Sequence, residues 1–227
     1  MARKTKEEAA ITREQLLDAA ERVFRDHGVS RASLAEVAAA AGVTRGAIYW
    51  HFRDKSDLLE ALCARATMPL EAVITRIREN LQDDPLACLR AIGIEALTRL
   101  ATDPRSRAIY EILSNRAELT DELTAVGSRT EQERCDCVAN VEGLVRRAIE
   151  IGQLDADVDA AQAARVLHAY LGGIMRDWVD DPQTYDLAEA APAMIDVILA
   201  GLRTHPPRRA ASAQRQAASS SASAKAD

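Results

Sequence analysis

Aromatic residues are scarce in this chain: two Trp, four Tyr and two Phe among 227 residues. Glycine and proline are scarce as well, ten and seven, too few for the many turns of a β-barrel or sandwich. Four cysteines do not make a disulfide framework at this length. Cys63 and Cys88 stand alone in sequence. Cys135 and Cys137 fall on different sides of a helix with no nearby His to complete a zinc site, so reduced thiols are expected. The four histidines, His27, His51, His168 and His205, share no metal-ligand spacing. There is no Gly-rich phosphate loop, no G-x-S-x-G and no H-E-x-x-H. No enzyme activity, metal or cofactor is therefore expected. Long apolar runs are also missing. The longest uncharged run in the body of the chain, Val166 to Met175, is about half of the roughly 20 residues a membrane span needs. The basic start, Met1-Ala2-Arg3-Lys4, is followed by no apolar stretch, unlike a signal peptide. The expectation is a soluble cytoplasmic protein without membrane contact.

Alanine, by contrast, occurs 44 times, which suits close-packed helices better than sheets. No alternation of apolar and polar residues is long enough for a strand. The first 55 residues hold three short helical patterns. Leu16, Ala20, Val23 and Phe24 form one apolar face, and Gly28 stands where a left-handed C-terminal cap belongs. Ser33 to Glu36 has the form of a capping box, opening a helix with Leu34, Val37, Ala38 and Ala41 as its stripe. Gly42 ends it, and Thr44 can cap a third helix running to about Trp50. Two short helices joined by a Gly-containing turn make a helix-turn-helix, with the small Ala38 and Ala41 at the crossing.

From Asp54 to about residue 204 the chain alternates caps and long helices. Asp84-Pro85 and Asp103-Pro104 place a cap before an N1 proline. A helix follows from about Asp121 to Gly152, and Asp159 to Gln162 opens another that ends near Asp181. A last helix carries Met194, Ile195, Ile198 and Leu202. Pro69 should kink or split the fourth helix, and Pro192 either kinks or starts the last one. The expected architecture is all-α with about nine helices: a helix-turn-helix domain over residues 1–55 with its N-terminal arm, a larger helical domain over 56–204, and a disordered low-complexity tail over 205–227.

The stretch Gly42-Val-Thr-Arg-Gly-Ala-Ile-Tyr-Trp-His-Phe-Arg-Asp-Lys55 carries the functional chemistry. Arg45 can form a bidentate contact to guanine or hold a phosphate. Gly46 removes bulk where the helix would approach a duplex. Tyr49, one turn later, can place its hydroxyl on a phosphate. His51 and Lys55 follow at the next helix start, which suits phosphate. Trp50 and Phe52 are expected to be core residues pinning the third helix to the fourth, Trp50 also standing among the candidate DNA-binding residues. A surface aromatic cluster on an amphipathic turn is the alternative, but it offers no packing reason for presenting Arg45, Tyr49, His51 and Lys55 together.

The segment from Thr12 to Leu62 closely resembles the DNA-binding domain of the TetR family of transcriptional regulators. Met1-Ala-Arg-Lys-Thr-Lys6 and Ala41-Gly-Val-Thr-Arg-Gly-Ala-Ile-Tyr-Trp-His-Phe52 are similar to its AcrR/TtgR branch of multidrug efflux-pump repressors. Weaker likeness continues through Asp84-Pro-Leu-Ala-Cys88, Glu111-Ile-Leu113, Glu118-Leu-Thr-Asp121 and Gly172-Gly-Ile-Met-Arg-Asp-Trp178. The resemblance implies a homodimer through the last two helices. It also implies a repressor bound to double-stranded operator DNA, released by a hydrophobic or aromatic small-molecule effector. By position it assigns DNA contacts to Thr44, Arg45, Tyr49, His51 and Lys55, with Ser33 touching phosphate and Arg3, Lys4 and Lys6 as an arm.

The larger domain mixes small and large residues on its apolar faces, a pattern of either close helix approach or internal space. The resemblance places the effector pocket at Ala66, Leu70, Leu89, Ile92, Gly93, Ala96, Tyr110, Leu113, Cys137, Val141, Leu144, His168, Leu171, Gly172, Met175 and Arg176. An apolar lining with Tyr110, His168 and Arg176 as polar groups suits aromatic or amphipathic molecules. Each polar member has a structural alternative: His168 as a satisfied core histidine, Arg176 as a surface partner of Asp177 or Asp180, Cys137 as a volume filler. For Gly173 close packing is the favoured reading. On the fourth helix Cys63 and Thr67 stand where some relatives carry an acidic or aromatic group, which argues against a preference for cationic drugs.

Net charge is −6, an acidity that taken whole argues against nucleic acid. It is unevenly spread. Residues 1–55 hold ten basic and eight acidic groups, residues 56–204 hold fifteen and twenty-six, and the tail holds four and one. The net charges are +2, −11 and +3, so the acidity belongs to the second domain.

Overall fold

The structure, a computed structural model, describes residues 6–114 and 124–209, without the side chains of 66–68 and 124–134. Nine α-helices lie among the described residues: α1 Lys6–His27, α2 Leu34–Ala40, α3 Arg45–Ile48, α4 Lys55–Asn80, α5 Pro85–Thr102, α6 Pro104–Ser114, α7 Thr124–Glu150, α8 Ala160–Asp180 and α9 Leu187–Thr204.

The caps act largely as their residue types dictate. Gly28 and Gly42 adopt φ of 77° and 70°, where an L side chain is strained. Ser33 caps α2 with both halves of the capping box present. Asp54, Asp84, Asp159 and Asp186 each accept a backbone N–H of the helix that follows. Thr44 precedes α3 without making a side-chain cap bond. α4 continues as one helix through Pro69, so the split does not occur. Asp186 starts α9, which leaves Pro192 inside that helix and not at its beginning.

Two apolar cores form. The first joins α1, α2 and α3 with Phe52 and the opening turns of α4 through Leu58, Leu59 and Leu62, and takes Ile109 and Ile112 from α6. The second joins α5, α7, α8 and α9 around Leu97, Val145, Ala163, Trp178, Leu187 and Ile195. α6 touches both, since Tyr110 packs against the second.

Charge ties the same junction. Arg65 of α4 reaches Asp18 at 2.7 Å, Glu21 at 3.1 Å and Glu14 at 3.4 Å, all on α1. Arg105 of α6 stands 3.7 Å from the same Asp18.

One expectation fails at the start of the tail. Residues 205–209 are ordered against the α7–α8 loop: Asp159 N–H donates to the Pro207 carbonyl at 2.8 Å, and Arg209 N–H to that of Asp157 at 3.0 Å. Pro206 is buried, and Arg208 pairs with Asp155 and Asp157. The low-complexity reading saw Pro-Pro-Arg-Arg as solvated chain. It missed that the two loop aspartates supply partners for Arg208. Residues 210–227 lie outside the described residues.

Candidate functional site: a reading head and an apolar cavity

α3 is a single turn held from beneath. Ile48 is fully buried and Phe52 nearly so, and the Arg13 guanidinium lies 5.3 Å from the Phe52 ring centre. These anchors leave Thr44, Arg45, Gly46, Tyr49 and Trp50 exposed. Trp50 is 90% exposed, which corrects its reading as a core residue. Because α3 ends at Ile48, Ile48 and Phe52 take the inward positions and the indole is left outside. An added Cβ at Gly46 would meet nothing within 4 Å, so no packing inside the chain requires a glycine there.

A polar cleft of about 520 Å³ lies between the start of α2 and the start of α4, lined by Ser33, Tyr49, Arg53, Asp54, Lys55 and Ser56 among others. Arg53 and Ser56 were not singled out in sequence, although they flank the Asp54 cap. The Ser33 hydroxyl donates to the Glu36 carboxylate at 2.8 Å. That bond and the Ser33 backbone N–H hold the Glu36 carboxyl below its ordinary pKa. The Lys55 ammonium donates to the Ser30 and Ala32 carbonyls at 2.9 and 3.1 Å. It thereby clamps the turn before α2 to the start of α4. His51 is half-buried with its ring 6.4 Å from that of Phe52. Lys6 is exposed at the start of α1. Arg3 and Lys4 lie outside the described residues.

In the second core an apolar cavity of about 80 Å³ opens between α5, α7, α8 and α9. Leu89, Ile92, Gly93, Cys137, Val141, His168 and Leu171 line it together. Leu167, Tyr170, Ile195, Ile198 and Leu199 complete the wall. Ile195, Ile198 and Leu199 were missed because the resemblance drew attention to α4–α8; Leu167 and Tyr170 lie on α8 itself, beside His168 and Leu171. On α9 the signal was the apolar spacing of Ile195, Ile198 and Leu199. The Tyr170 hydroxyl donates to the Met194 carbonyl at 2.9 Å, tying α8 to α9 beside this wall.

Other members of the expected pocket stand elsewhere. Tyr110 and Arg176 line a separate polar pocket of about 320 Å³ with Glu111, Ser114, Val179 and Asp180. The Tyr110 hydroxyl donates to the Gly172 carbonyl at 3.2 Å. Leu113 packs on the first core. Leu144 and Met175 pack on the second, and Ala96 is buried. Leu70 is half-buried on α4, and the Ala66 side chain lies outside the described residues.

The glycines divide between two roles. A Cβ at Gly93 would stand 2.8 Å from Ile195 Cδ1, so this glycine lets α5 lie close against α9. A Cβ at Gly172 or Gly173 would meet nothing within 4 Å. Close packing within the chain therefore does not explain Gly173. α8 turns this small-residue face outward, with Val166 47% exposed nearby and Val197 of α9 66% exposed.

A one-turn helix that presents Arg, Tyr and Trp outward, joined by α4 to an all-helical domain with an apolar cavity, defines a helix-turn-helix regulator with a separate effector domain. No described helix is long and apolar enough to cross a membrane. Residues 16–62 match the bacterial regulatory proteins of the tetR family, and residues 84–204 match the C-terminal region of MAATS-type transcriptional repressors. The regulator TtgR of Pseudomonas putida is 37% identical over 92% of this chain and 100% of its own length. NalD, the secondary repressor of the MexAB-OprM multidrug efflux pump in Pseudomonas aeruginosa, superposes with a TM-score of 0.78. It is 34% identical, over 88% of this chain and all of its own. The triclosan complex of SmeT, repressor of the Stenotrophomonas maltophilia pump SmeDEF, gives a TM-score of 0.73. It is 36% identical, over 84% of this chain and 91% of that one. The chain belongs to the TetR family of transcriptional regulators.

Proposed function

We propose that this protein represses a multidrug efflux-pump operon in the cytoplasm and leaves its operator when a hydrophobic or aromatic molecule occupies the α5–α9 cavity. The observation that carries the reading is the pairing of two features in one chain: an outward face of Arg45, Tyr49 and Trp50, and an apolar cavity one domain away. The regulator TtgR and the repressors NalD and SmeT, to which the chain is similar, support it, and SmeT is known in complex with triclosan, an aromatic molecule.

The proposed division of labour follows the charge. The head, residues 1–55, contacts DNA through Thr44, Arg45, Gly46, Tyr49, Trp50 and His51, with Ser33 and Lys55 at the phosphates and Arg3, Lys4 and Lys6 as an arm. Residues 56–204 bind effector and pair two subunits. The pairing face is that of α8 and α9, where Val166, Gly173 and Val197 are exposed. Small residues there allow two helix pairs to approach closely. The acidic second domain repels the duplex from all but the head.

Effector can release DNA only by favouring the shape that binds DNA less well. α4 is the proposed lever. Leu58, Leu59 and Leu62 belong to the head core, while the same helix also packs against α5 and α7. Two heads on one dimer must match about one turn of DNA, so a small shift of α4 is enough to spoil the fit.

The test is fluorescence anisotropy on duplex DNA from the region upstream of the gene, with Arg45→Ala and Tyr49→Ala beside the native protein. Each variant should lose at least about tenfold in affinity while melting at the native temperature. Native affinity should fall steeply with salt. Unchanged affinity in both variants would sink the assignment. Operator binding that no aromatic compound relieves would point to a TetR regulator with no ligand or a different one.

A further inference from the structure

Ser33 and Lys55 stand at the edge of the polar cleft between α2 and α4, yet both turn their donors inward. The Lys55 side chain is half-buried. Its ammonium carries three N–H donors, and two of them go to the Ser30 and Ala32 carbonyls at 2.9 and 3.1 Å. Those carbonyls belong to the turn that leads into α2. Ser33 is committed as fully. Its one hydroxyl proton goes to the Glu36 carboxylate at 2.8 Å, and its oxygen accepts the Glu36 N–H at 3.2 Å. Its own N–H reaches the same carboxylate at 2.7 Å. A phosphate could take the hydroxyl proton or either of these ammonium donors only by undoing a bond that holds α2 in place.

Two other members of the cleft are placed differently. Arg53 and Tyr49 line it together with Ser33 and Lys55. The Arg53 side chain is 84% exposed. Its backbone N–H donates to the Asp57 carboxylate at 3.0 Å, and its Nε lies 3.4 Å from the same oxygen. Both Nη groups of Arg53 are without a partner among the described residues, and so is the Tyr49 hydroxyl. Asp54 is the acid among the lining residues, and it accepts the Asp57 N–H at 2.8 Å. Against it stand Arg53 and Lys55, so the lining is net positive.

We propose that Arg53 makes the phosphate contact of this cleft, with the Tyr49 hydroxyl beside it, and that Lys55 and Ser33 are positioning residues that fix its two edges. This rests on the reading of the head as the DNA-contacting domain and assigns the roles within it. The outer edge of a guanidinium offers parallel N–H groups that fit two phosphate oxygens. Lys55 ties the turn before α2 to the start of α4, so the width of the cleft is set before DNA arrives. Nothing then has to be ordered there on binding.

The two roles separate in the slope of log affinity against log salt. It is measured by fluorescence anisotropy of the full chain on the upstream duplex, with a melting curve for each variant. Each phosphate contact contributes about 0.9 to that slope. Arg53→Gln should lose at least about tenfold in affinity and about 0.9 in slope for each head bound, while melting near the native temperature. Arg53→Lys should keep most of the slope. Lys55→Met should behave in the opposite way. Its melting temperature should fall, up to loss of the folded head, and any binding that remains should show less than half of that change in slope. Ser33→Ala should also melt lower, with the native slope.

Native affinity and slope in Arg53→Gln overturn the inference. So does a Lys55→Met variant that melts as the native protein does and loses the full slope, because its ammonium is then itself a phosphate contact. A flat salt response in the native protein sinks the reading of the head, and this inference with it. A steep native slope that Arg53→Gln leaves untouched sinks the assignment of Arg53 alone.

Discussion

The head and the effector domain are built from the same kind of helix but packed to different ends. Of the eleven largest side chains fully buried among the described residues, nine belong to the head core: Leu16, Leu17, Phe24, Val37, Ile48, Phe52, Leu58, Leu59 and Leu62. Only Leu97 and Leu187 belong to the second core. The head is small and these nine side chains fill its core, which holds its exposed residues in fixed positions. The second domain is larger and keeps a cavity, with half-buried Leu167, His168, Tyr170 and Leu171 around it. Rigid packing suits a surface that reads a duplex; unfilled apolar space suits a surface that awaits a ligand.

The largest expected effect tests this contrast directly. Phe52→Ala removes the ring that holds α3 over α4, and should cost about 3–5 kcal/mol in urea unfolding. Leu171→Ala, in the cavity wall, removes a side chain that is only half-buried and should cost less than about 2 kcal/mol. Equal losses would mean that the second domain is packed as tightly as the head, and the contrast would fall.

A middle-sized effect concerns the joint between the two regions. The Arg65 side chain is 13% exposed and that of its partner Glu21 15%, so solvent screens this pair less than a surface ion pair. Arg65→Ala removes the cation that the three α1 carboxylates share, leaving each only a longer pair, Glu14 with Arg13 at 3.8 Å, Asp18 with Arg105 at 3.7 Å and Glu21 with Arg25 at 4.0 Å. It should destabilise the protein by about 1–3 kcal/mol. A double-mutant cycle with Glu21→Gln should return a coupling energy well above the few tenths found for exposed pairs. Additive losses would show that α1 and α4 are joined by Leu59 and Leu62 alone.

How far these features could be read in advance differs between the regions for a physical reason. The head is governed by local rules. Gly28, Ser33, Glu36, Gly42 and Asp54 each act on their own or the next turn, and sequence spacing identifies all five. Trp50 was misplaced because α3 is too short for a periodicity to declare which side faces in. The cavity is governed by non-local contacts. Gly93 is explained only by Ile195, a hundred residues away in sequence, and nothing in the α8 sequence alone separates Gly172 from Gly93. The docking of Pro206 and Arg208 likewise depends on Asp155 and Asp157 in a loop that local rules describe only as polar.

The smallest effect probes the locality of the head. The Glu36 carboxyl accepts from the Ser33 hydroxyl and from the Ser33 backbone N–H, and its pKa lies below 4.5. A carboxylate with a depressed folded pKa stabilises the native state above its unfolded pKa and loses that contribution as pH falls through the folded value. Native protein should therefore melt slightly higher than Glu36→Gln at pH 7, and the difference should close below pH 4.5 as the carboxyl gains its proton. The group is exposed, so the gap should also be small beside the other two effects. A gap that stayed constant through the acid range would mean that the amide loses geometry and not charge. The capping box would then owe its strength to shape, and the closing of α2 at Ser33 would be independent of pH.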